Sequence, residues 1–191
     1  MLIQCNSPFL FYCNIPNHKE IKENYYPLIL NSFREIDVNP PLDWNCNVKT
    51  TVNYELSFLR EDHLLDSIVW NPMDQMLKEV KLNYYPKNSD VSTIWANLYQ
   101  EMFFQEVHNH VGPHNLSHFA GIYIIDQRGK NQISFTNYDN HFGYLNTRIN
   151  TKEIEDIGEG TVMIFPSHFL HYVNPVDKPR CTISFNINSN F

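Results

Sequence analysis

The sequence lacks the features that mark several common protein classes. It has no Cys-x-x-Cys pair and no zinc-ribbon spacing among its four cysteines, which are Cys5, Cys13, Cys46 and Cys181. No apolar run approaches the roughly 20 residues that span a bilayer. The first residues also lack the basic and apolar regions of a secretory signal. We therefore expect reduced cysteines that pack as small buried side chains in a reducing compartment, and no membrane segment.

Basic residues are also scarce. Lysine and arginine number 14 against 21 aspartate and glutamate, so the formal net charge is -7. Binding of nucleic acid needs a basic face, and this balance argues against nucleic acid as a partner. A small anion can still bind at a single arginine. The chain has no internal repeat and no low-complexity linker, and its 191 residues suit one domain over 1–191.

The N-terminal part, residues 1–91, is predicted to supply supporting helices and edge strands. Helical spacing of apolar residues predicts a helix over 17–36, in which Pro27 must start or kink the helix. A second helix is predicted to begin with Asn71 as its N-cap and Pro72 in its first turn, and to end before Pro86. Threonine and aromatic residues between Val48 and Leu59 predict a strand there.

The remainder, residues 92–191, has the pattern of short strands separated by turns. Several strands at regular spacing are typical of a sandwich or a barrel. Aromatic residues make up 14% of the chain, which also favours strands. The predicted strands cover 93–104, 118–126, 132–137, 161–165, 171–173 and 180–188.

Histidines are concentrated in this part of the chain. Seven of the nine lie between His108 and His171. Residues at i and i+2 of a strand share a face, so His108 and His110 are predicted to project together. Imidazole is the commonest side-chain ligand of iron, zinc and copper. Together with the later histidines His168 and His171, the pattern predicts a mononuclear metal site.

The last predicted strand alternates between two kinds of side chain. One face is apolar, and the other carries Arg180, Thr182, Ser184 and Asn186. If the polar face points into a barrel, each group there needs a partner, because an unpaired buried polar group costs about 1–3 kcal/mol. A bound oxyacid would satisfy these groups. Arg180 is therefore a candidate anion-binding residue beside the metal.

Taken together, these motifs resemble those of the Fe(II)/2-oxoglutarate-dependent oxygenases. The resemblance covers about 95–186 and is strongest to a branch found in bacteria and tailed phages. It implies a mostly β fold with supporting α-helices, the cupin-like jelly roll called the double-stranded β-helix, and a cytoplasmic location in a bacterium or a phage-infected host. In chain order the motifs are Trp95-Ala96-Asn97, His108-Asn109-His110, Ala120-Gly121-Ile122-Tyr123, Phe165-Pro166-Ser167, His171-Tyr172-Val173 and Arg180-Cys181-Thr182-Ile183-Ser184-Phe185-Asn186.

The resemblance also implies a metal and an activity. Such enzymes hold Fe(II) with His-x-Asp or His-x-Glu and a distal histidine, leaving positions for 2-oxoglutarate and O2. Here His110 occupies the carboxylate position, so the implied metal-binding and catalytic set is His108, His110 and His171. The implied reaction couples decarboxylation of 2-oxoglutarate to hydroxylation of an unidentified protein or small molecule.

The implied co-substrate site centres on the arginine that follows His171 by nine residues. Arg180 falls where the related enzymes bind the remote carboxylate of 2-oxoglutarate, a bidentate role suited to guanidinium. Ser184 or Tyr123 is expected to donate an accompanying hydroxyl. Asn97 is expected either to orient a ligand or to cap the barrel.

Three alternatives remain open at this stage. The stretch from His110 to Asn115 also resembles the aspartyl/asparaginyl β-hydroxylases, in which glycine replaces the carboxylate; His110 would then be the first ligand and His108 would lie beside the site. A cupin-like metalloenzyme could use three histidines without 2-oxoglutarate. The chain could also be a non-catalytic structural or binding module of a phage. We predict that both His108 and His110 bind the metal.

Overall fold

The computed structural model describes residues 2–4, 9–81, 89–112, 115–130, 132–138, 146–151 and 154–189. Two antiparallel sheets form its framework. The strands are β1 (Leu2–Gln4), β2 (Phe9–Asn14), β3 (Lys49–Thr50), β4 (Ser89–Tyr99), β5 (Gln105–His108), β6 (Val111–Gly112), β7 (Asn115–Leu116), β8 (Phe119–Gln127), β9 (Ile133–Tyr138), β10 (Asn146–Asn150), β11 (Thr161–Pro166), β12 (Leu170–Val173) and β13 (Arg180–Ser189).

From β4 onward the chain passes repeatedly between the two sheets. The larger sheet has the order β1-β2-β11-β8-β13-β4-β3, and the smaller one has the order β10-β9-β12-β5. Strands β6 and β7 form a separate short hairpin. The prediction of a mostly β architecture with supporting helices is confirmed. Because neighbours in each sheet come from distant parts of the chain, residues near 108, 171 and 180 can meet in space.

The helices cover the outer face of the larger sheet. Helix α1 (His18–Glu35) buries a stripe formed by Ile21, Tyr25, Ile29 and Phe33 against it. The prediction for 17–36 is therefore confirmed to within a residue at each end, with Pro27 inside the helix. Within the described ranges, no helix is long and apolar enough to cross a membrane.

The second predicted helix starts earlier than the sequence indicated. Helix α2 (Asp62–Leu65) continues through a π-helical turn, Asp66–Trp70, into α3 (Asn71–Glu79). The prediction of Asn71 as an N-cap was wrong, because its backbone already has helical dihedral angles. Pro72 lacks the N–H that an α-helix needs, and the wider π turn accommodates that missing bond. The predicted end at Pro86 lies outside the described residues.

The strand predicted over 48–59 was also wrong. Only Lys49–Thr50 pairs with β4, and a 3-10 helix, Ser57–Arg60, occupies the end of the segment. The hydroxyl of Thr51 accepts a hydrogen bond from the Ala96 backbone at 2.9 Å, and the chain turns immediately afterwards, where Tyr54 N–H bonds to the Thr51 carbonyl at 2.8 Å. The threonines here stabilise a turn against β4 rather than a long strand.

Apolar side chains form one core on each face of the larger sheet. One core lies between that sheet and the helices, and the other lies between the two sheets. The alternation predicted for β13 is confirmed: Cys181, Ile183, Phe185 and Ile187 pack in the helix-side core. The polar residues of β13 therefore face the smaller sheet.

Gly121 shows how closely this sheet is packed. It lies in β8 opposite Phe185 of β13, and a Cβ added to it would lie 2.1 Å from the Phe185 ring. We predict that Gly121→Ala lowers the free energy of unfolding by about 1–3 kcal/mol, because the ring must move within a packed core. Urea denaturation measures this value. Gly158→Ala is the matched control, since its nearest atom would be 4.0 Å away; equal stability of the two variants would contradict the prediction.

Candidate metal centre

Three histidines, two in neighbouring strands of the smaller sheet and one just after the first of these strands, converge at one point. His108 ends β5 and lies directly opposite His171 of β12, and His110 follows two residues later. Their ligand atoms all lie within 4.8 Å of one another. The closest approach is between the Nε2 atoms of His110 and His171, at 3.3 Å. The three residues that the sequence predicted as a set are therefore brought together.

The second ring nitrogen of each histidine meets an oxygen that can accept a hydrogen bond. The Nδ1 of His108 donates to the Glu106 carbonyl at 2.8 Å, and the Nδ1 of His171 donates to the Phe169 carbonyl at 3.1 Å. Because a backbone carbonyl only accepts, these rings carry their hydrogen on Nδ1 and present a lone pair at Nε2. The Nδ1 of His110 lies 2.6 Å from Oδ1 of the Asn186 amide.

The spacing of these lone pairs tests whether the site fits a metal. Two lone pairs at 3.3 Å repel unless a cation lies between them. Metal–nitrogen bonds of about 2.0–2.1 Å at ordinary coordination angles place two nitrogens about 3 Å apart. The His110–His171 pair therefore fits a first-row divalent metal. No aspartate or glutamate joins this group within the part of the chain that the structure describes.

Aromatic rings surround the three imidazoles. Trp95 stacks on His110 with centroids 5.7 Å apart, and Trp44 stacks on His108 at 6.3 Å. The ring of Phe165 meets His171 edge-on at 4.8 Å. These contacts restrict ring rotation and reduce access of water to the histidines.

The same burial shifts the protonation of the imidazoles. Burial, reinforced by the neighbouring His108, lowers the pKa of His110 to about 3. Burial also lowers the pKa of His108, and burial together with the other two imidazoles lowers the pKa of His171 well below its ordinary value. The three rings are therefore neutral at physiological pH, which is the form that binds metal.

A narrow cleft leads from the histidines to the predicted anion-binding residues. Arg180 is only 1% exposed, and its guanidinium lies 5.0 Å from the centre of the Tyr99 ring. Burial lowers the pKa of this guanidinium. Asn97 and Ser184 line the same cleft, and the Asn97 amide donates a hydrogen bond to the Ser184 hydroxyl at 3.1 Å. Three of the four predicted co-substrate residues therefore share one space with the histidines.

The cleft is tight. About 290 Å³ of atom-free space, part of it open to solvent, lies between its lining residues. Its enclosed part has room for about one water molecule. That space holds a single ion, whereas a dicarboxylate requires some of the side chains to move.

The structure does not bring Tyr123 to the cleft. Successive residues of β8 point to opposite faces, so Ile122 lines the cleft while Tyr123 packs in the helix-side core. The Tyr123 hydroxyl is 2.6 Å from Nδ1 of His18 in helix α1. Glu159 and Lys22 extend this contact into a polar cluster that joins the helix to the sheet.

Sequence reasoning missed some of the residues around the site. Tyr99 and Gln105 line the cleft, and the Tyr99 hydroxyl donates to the Gln105 amide oxygen at 2.7 Å. Tyr99 was detectable, since it follows Trp95 and Asn97 at the two-residue period of β4. Trp44 lies outside any helix or strand, and no periodic signal identifies it.

Of the remaining histidines, His118 and His168 stay outside the cluster, and His114 and His141 lie outside the described residues.

The sequence matches no protein-family model and no curated protein. Solved structures do match the fold. A prolyl-4-hydroxylase from Pseudomonas putida superimposes with a TM-score of 0.61 and 11% identity, over 95% of this chain and 93% of that chain. A viral collagen prolyl hydroxylase from Paramecium Bursaria Chlorella virus-1, in complex with 2OG, superimposes with a TM-score of 0.56 and 12% identity, over 97% of this chain and 99% of that chain.

A prolyl hydroxylase from Trichoplax adhaerens, in complex with a peptide of the hypoxia inducible factor oxygen degradation domain, gives a TM-score of 0.59 and 11% identity, over 94% of this chain and 83% of that chain. Likeness at this level of identity establishes the fold. The chain has the jelly-roll fold of the 2OG-Fe(II) oxygenases, as its sequence predicted.

Proposed function

We propose that this protein is an Fe(II)- and 2-oxoglutarate-dependent dioxygenase, and that hydroxylation is its default reaction. The observation that carries the proposal is a single cleft lined both by three imidazoles and by the buried guanidinium of Arg180. The metal-binding residues in this proposal are His108, His110 and His171. The likeness of fold to 2OG-Fe(II) oxygenases supports the same assignment.

Each residue of the cleft then has a defined task. Bound iron would supply the activation of O2 by which decarboxylation of 2-oxoglutarate drives oxidation of the substrate. Arg180 binds the remote carboxylate of 2-oxoglutarate through two parallel hydrogen bonds. Asn97 and Ser184 hydrogen-bond to the same carboxylate, and rotation of the Asn97 amide by half a turn would present its N–H groups. Trp95 and Phe165 exclude water from the metal.

The structural neighbours indicate which class of substrate to test first. The Trichoplax adhaerens neighbour was solved with a peptide, so a polypeptide is the first class to test, and small molecules are the second. The net charge of -7 argues against nucleic acid. Turnover screens that measure succinate release in the presence of each class would identify the substrate.

One observation favours a second candidate. A donor set of three imidazoles without a carboxylate also suits a cupin-like metalloenzyme that does not use 2-oxoglutarate. The two candidates differ at Arg180, which only the first one needs. We prefer the first, because a buried guanidinium in the same cleft as the three imidazoles suits the carboxylate of an anionic co-substrate.

The first prediction from this proposed function concerns the metal and the co-substrate together. Anaerobic addition of Fe(II) and 2-oxoglutarate should produce a weak visible charge-transfer band, because the keto acid chelates the metal. His171→Ala should abolish the band through loss of a ligand. Absorption spectroscopy measures it, and His168→Ala is the control, since His168 is exposed and lies outside the cluster. A wild-type protein that binds no metal would support a non-catalytic module instead.

The second prediction concerns Arg180. Arg180→Gln should weaken 2-oxoglutarate binding by about 100-fold, because loss of a charge-assisted bidentate contact costs about 2–3 kcal/mol. Calorimetric titration of the Mn(II)-loaded protein measures this. Arg128→Gln is a matched control, because Arg128 directly follows β8 but its side chain is 67% exposed. Unchanged affinity in Arg180→Gln, with metal bound, would favour the cupin-like alternative.

The third prediction concerns pH. Three imidazoles with the ordinary pKa of about 6.5 would lose roughly 50-fold in metal affinity between about pH 7.5 and 6.0, because protonation competes with the metal. Here burial lowers all three pKa values, to about 3 for His110, so the neutral form persists to lower pH. Mn(II) affinity should therefore fall less than about threefold over that interval. A loss of Mn(II) affinity near the roughly 50-fold expected for imidazoles of ordinary pKa would contradict the prediction.

A further inference from the structure

A hydrogen-bonded chain links the metal ligand His110 to the surface through two side chains. The Nδ1 of His110 is 2.6 Å from Oδ1 of Asn186, and Nδ2 of Asn186 donates to the Thr93 hydroxyl at 2.8 Å. Asn186 is 4% exposed, whereas Thr93 reaches solvent. His110 therefore depends on a side-chain amide, while His108 and His171 donate to backbone carbonyls.

A local irregularity in the sheet puts Asn186 in this place. The pairing of β13 with β4 shifts between Asn186 and Ile187, so that Ser92 is an extra residue in β4. Such bulges bend a strand and change the direction of the adjacent side chains. The amide of Asn186 is thereby held between Thr93 on the neighbouring strand and His110 on the segment after β5.

An amide differs from a backbone carbonyl in one respect that matters here. Its oxygen only accepts and its nitrogen only donates, so the face it turns to His110 decides which ring nitrogen carries the hydrogen. With Oδ1 facing the ring, the hydrogen is on Nδ1 and the Nε2 lone pair is available to a metal. With Nδ2 facing the ring, the hydrogen would be on Nε2 and metal binding would be blocked.

We propose that Asn186, held in plane by Thr93, is the positioning residue that makes His110 a metal ligand. It keeps the hydrogen on Nδ1 and aims Nε2 at the point shared with His171. The proposal rests on the metal centre of the proposed function but not on 2-oxoglutarate. This role explains how an imidazole can bind metal at a position where the similar enzymes have a carboxylate. A carboxylate has no tautomer that must be fixed, whereas an imidazole has two.

The test compares metal affinity and imidazole NMR signals in matched variants. Asn186→Leu should lose about 10- to 100-fold in Zn(II) and Mn(II) affinity, the usual effect of removing a partner of a metal-bound histidine. Asn186→Asp should bind at least as tightly as wild type, because a carboxylate only accepts. Thr93→Val should lose less than Asn186→Leu, and Thr93→Ser should bind like wild type because it restores the hydroxyl.

The NMR measurement separates positioning from a general loss of structure. In the Zn(II)-loaded wild-type protein labelled with 15N-histidine, three Nδ1–H signals should be protected from exchange, and Asn186→Leu should retain two. If Asn186→Leu keeps wild-type metal affinity and all three signals, the positioning role is overturned while the metal centre stands. If the wild-type protein binds neither metal, both fail. If Asn186→Leu does not fold, Thr93→Val and Thr93→Ser test the positioning role instead, because Thr93 is exposed. Metal affinity and the histidine NMR signals are then compared between these two variants.

Discussion

The pairing of β5 with β12 is the contact on which the site depends. It places His108 opposite His171, although 63 residues separate them along the chain, and it fixes where the segment carrying His110 leaves the sheet. The larger sheet then closes the cleft from the other side with β4 and β13. A register shift of one residue in either sheet would turn His171 or Arg180 to the opposite face, so function requires the register of both sheets.

The two-residue period of strands accounts for most of what the sequence predicted about the site. It placed Arg180 and Ser184 on one face of β13 and Ile183 and Phe185 on the other, as the structure shows. The same period explains why Tyr123 is absent from the cleft, because Ile122 of the same strand faces it, but the sequence alone does not tell which of the two faces inward. No such periodicity identifies Trp44, which packs on His108 from an irregular segment whose position depends on tertiary contacts.

Errors in the N-terminal part have the same physical origin. Thr51 has the β-branched shape of a strand residue, but its hydroxyl bonds to β4 and the chain then turns. Asn71 and Pro72 carry a strong local signal for the start of a helix, yet the preceding residues bury Leu64, Ile68 and Val69 and are helical as well. In both cases tertiary packing overrides a local preference of less than about 1 kcal/mol for most residues.

Three imidazoles, with no carboxylate beside them in the described part of the chain, determine the electrostatics of the cleft. Three neutral imidazoles leave a bound divalent cation with its full charge, and Arg180 adds another positive charge in the same buried space. The stack on Tyr99 offsets part of the cost of burying the guanidinium, by about 2 kcal/mol, against several kcal/mol for desolvation. In the proposed enzyme, a dicarboxylate would neutralise both centres at once, with one carboxylate at the metal and the other at Arg180. Two such cations would favour a ligand with two separated negative charges over a monocarboxylate.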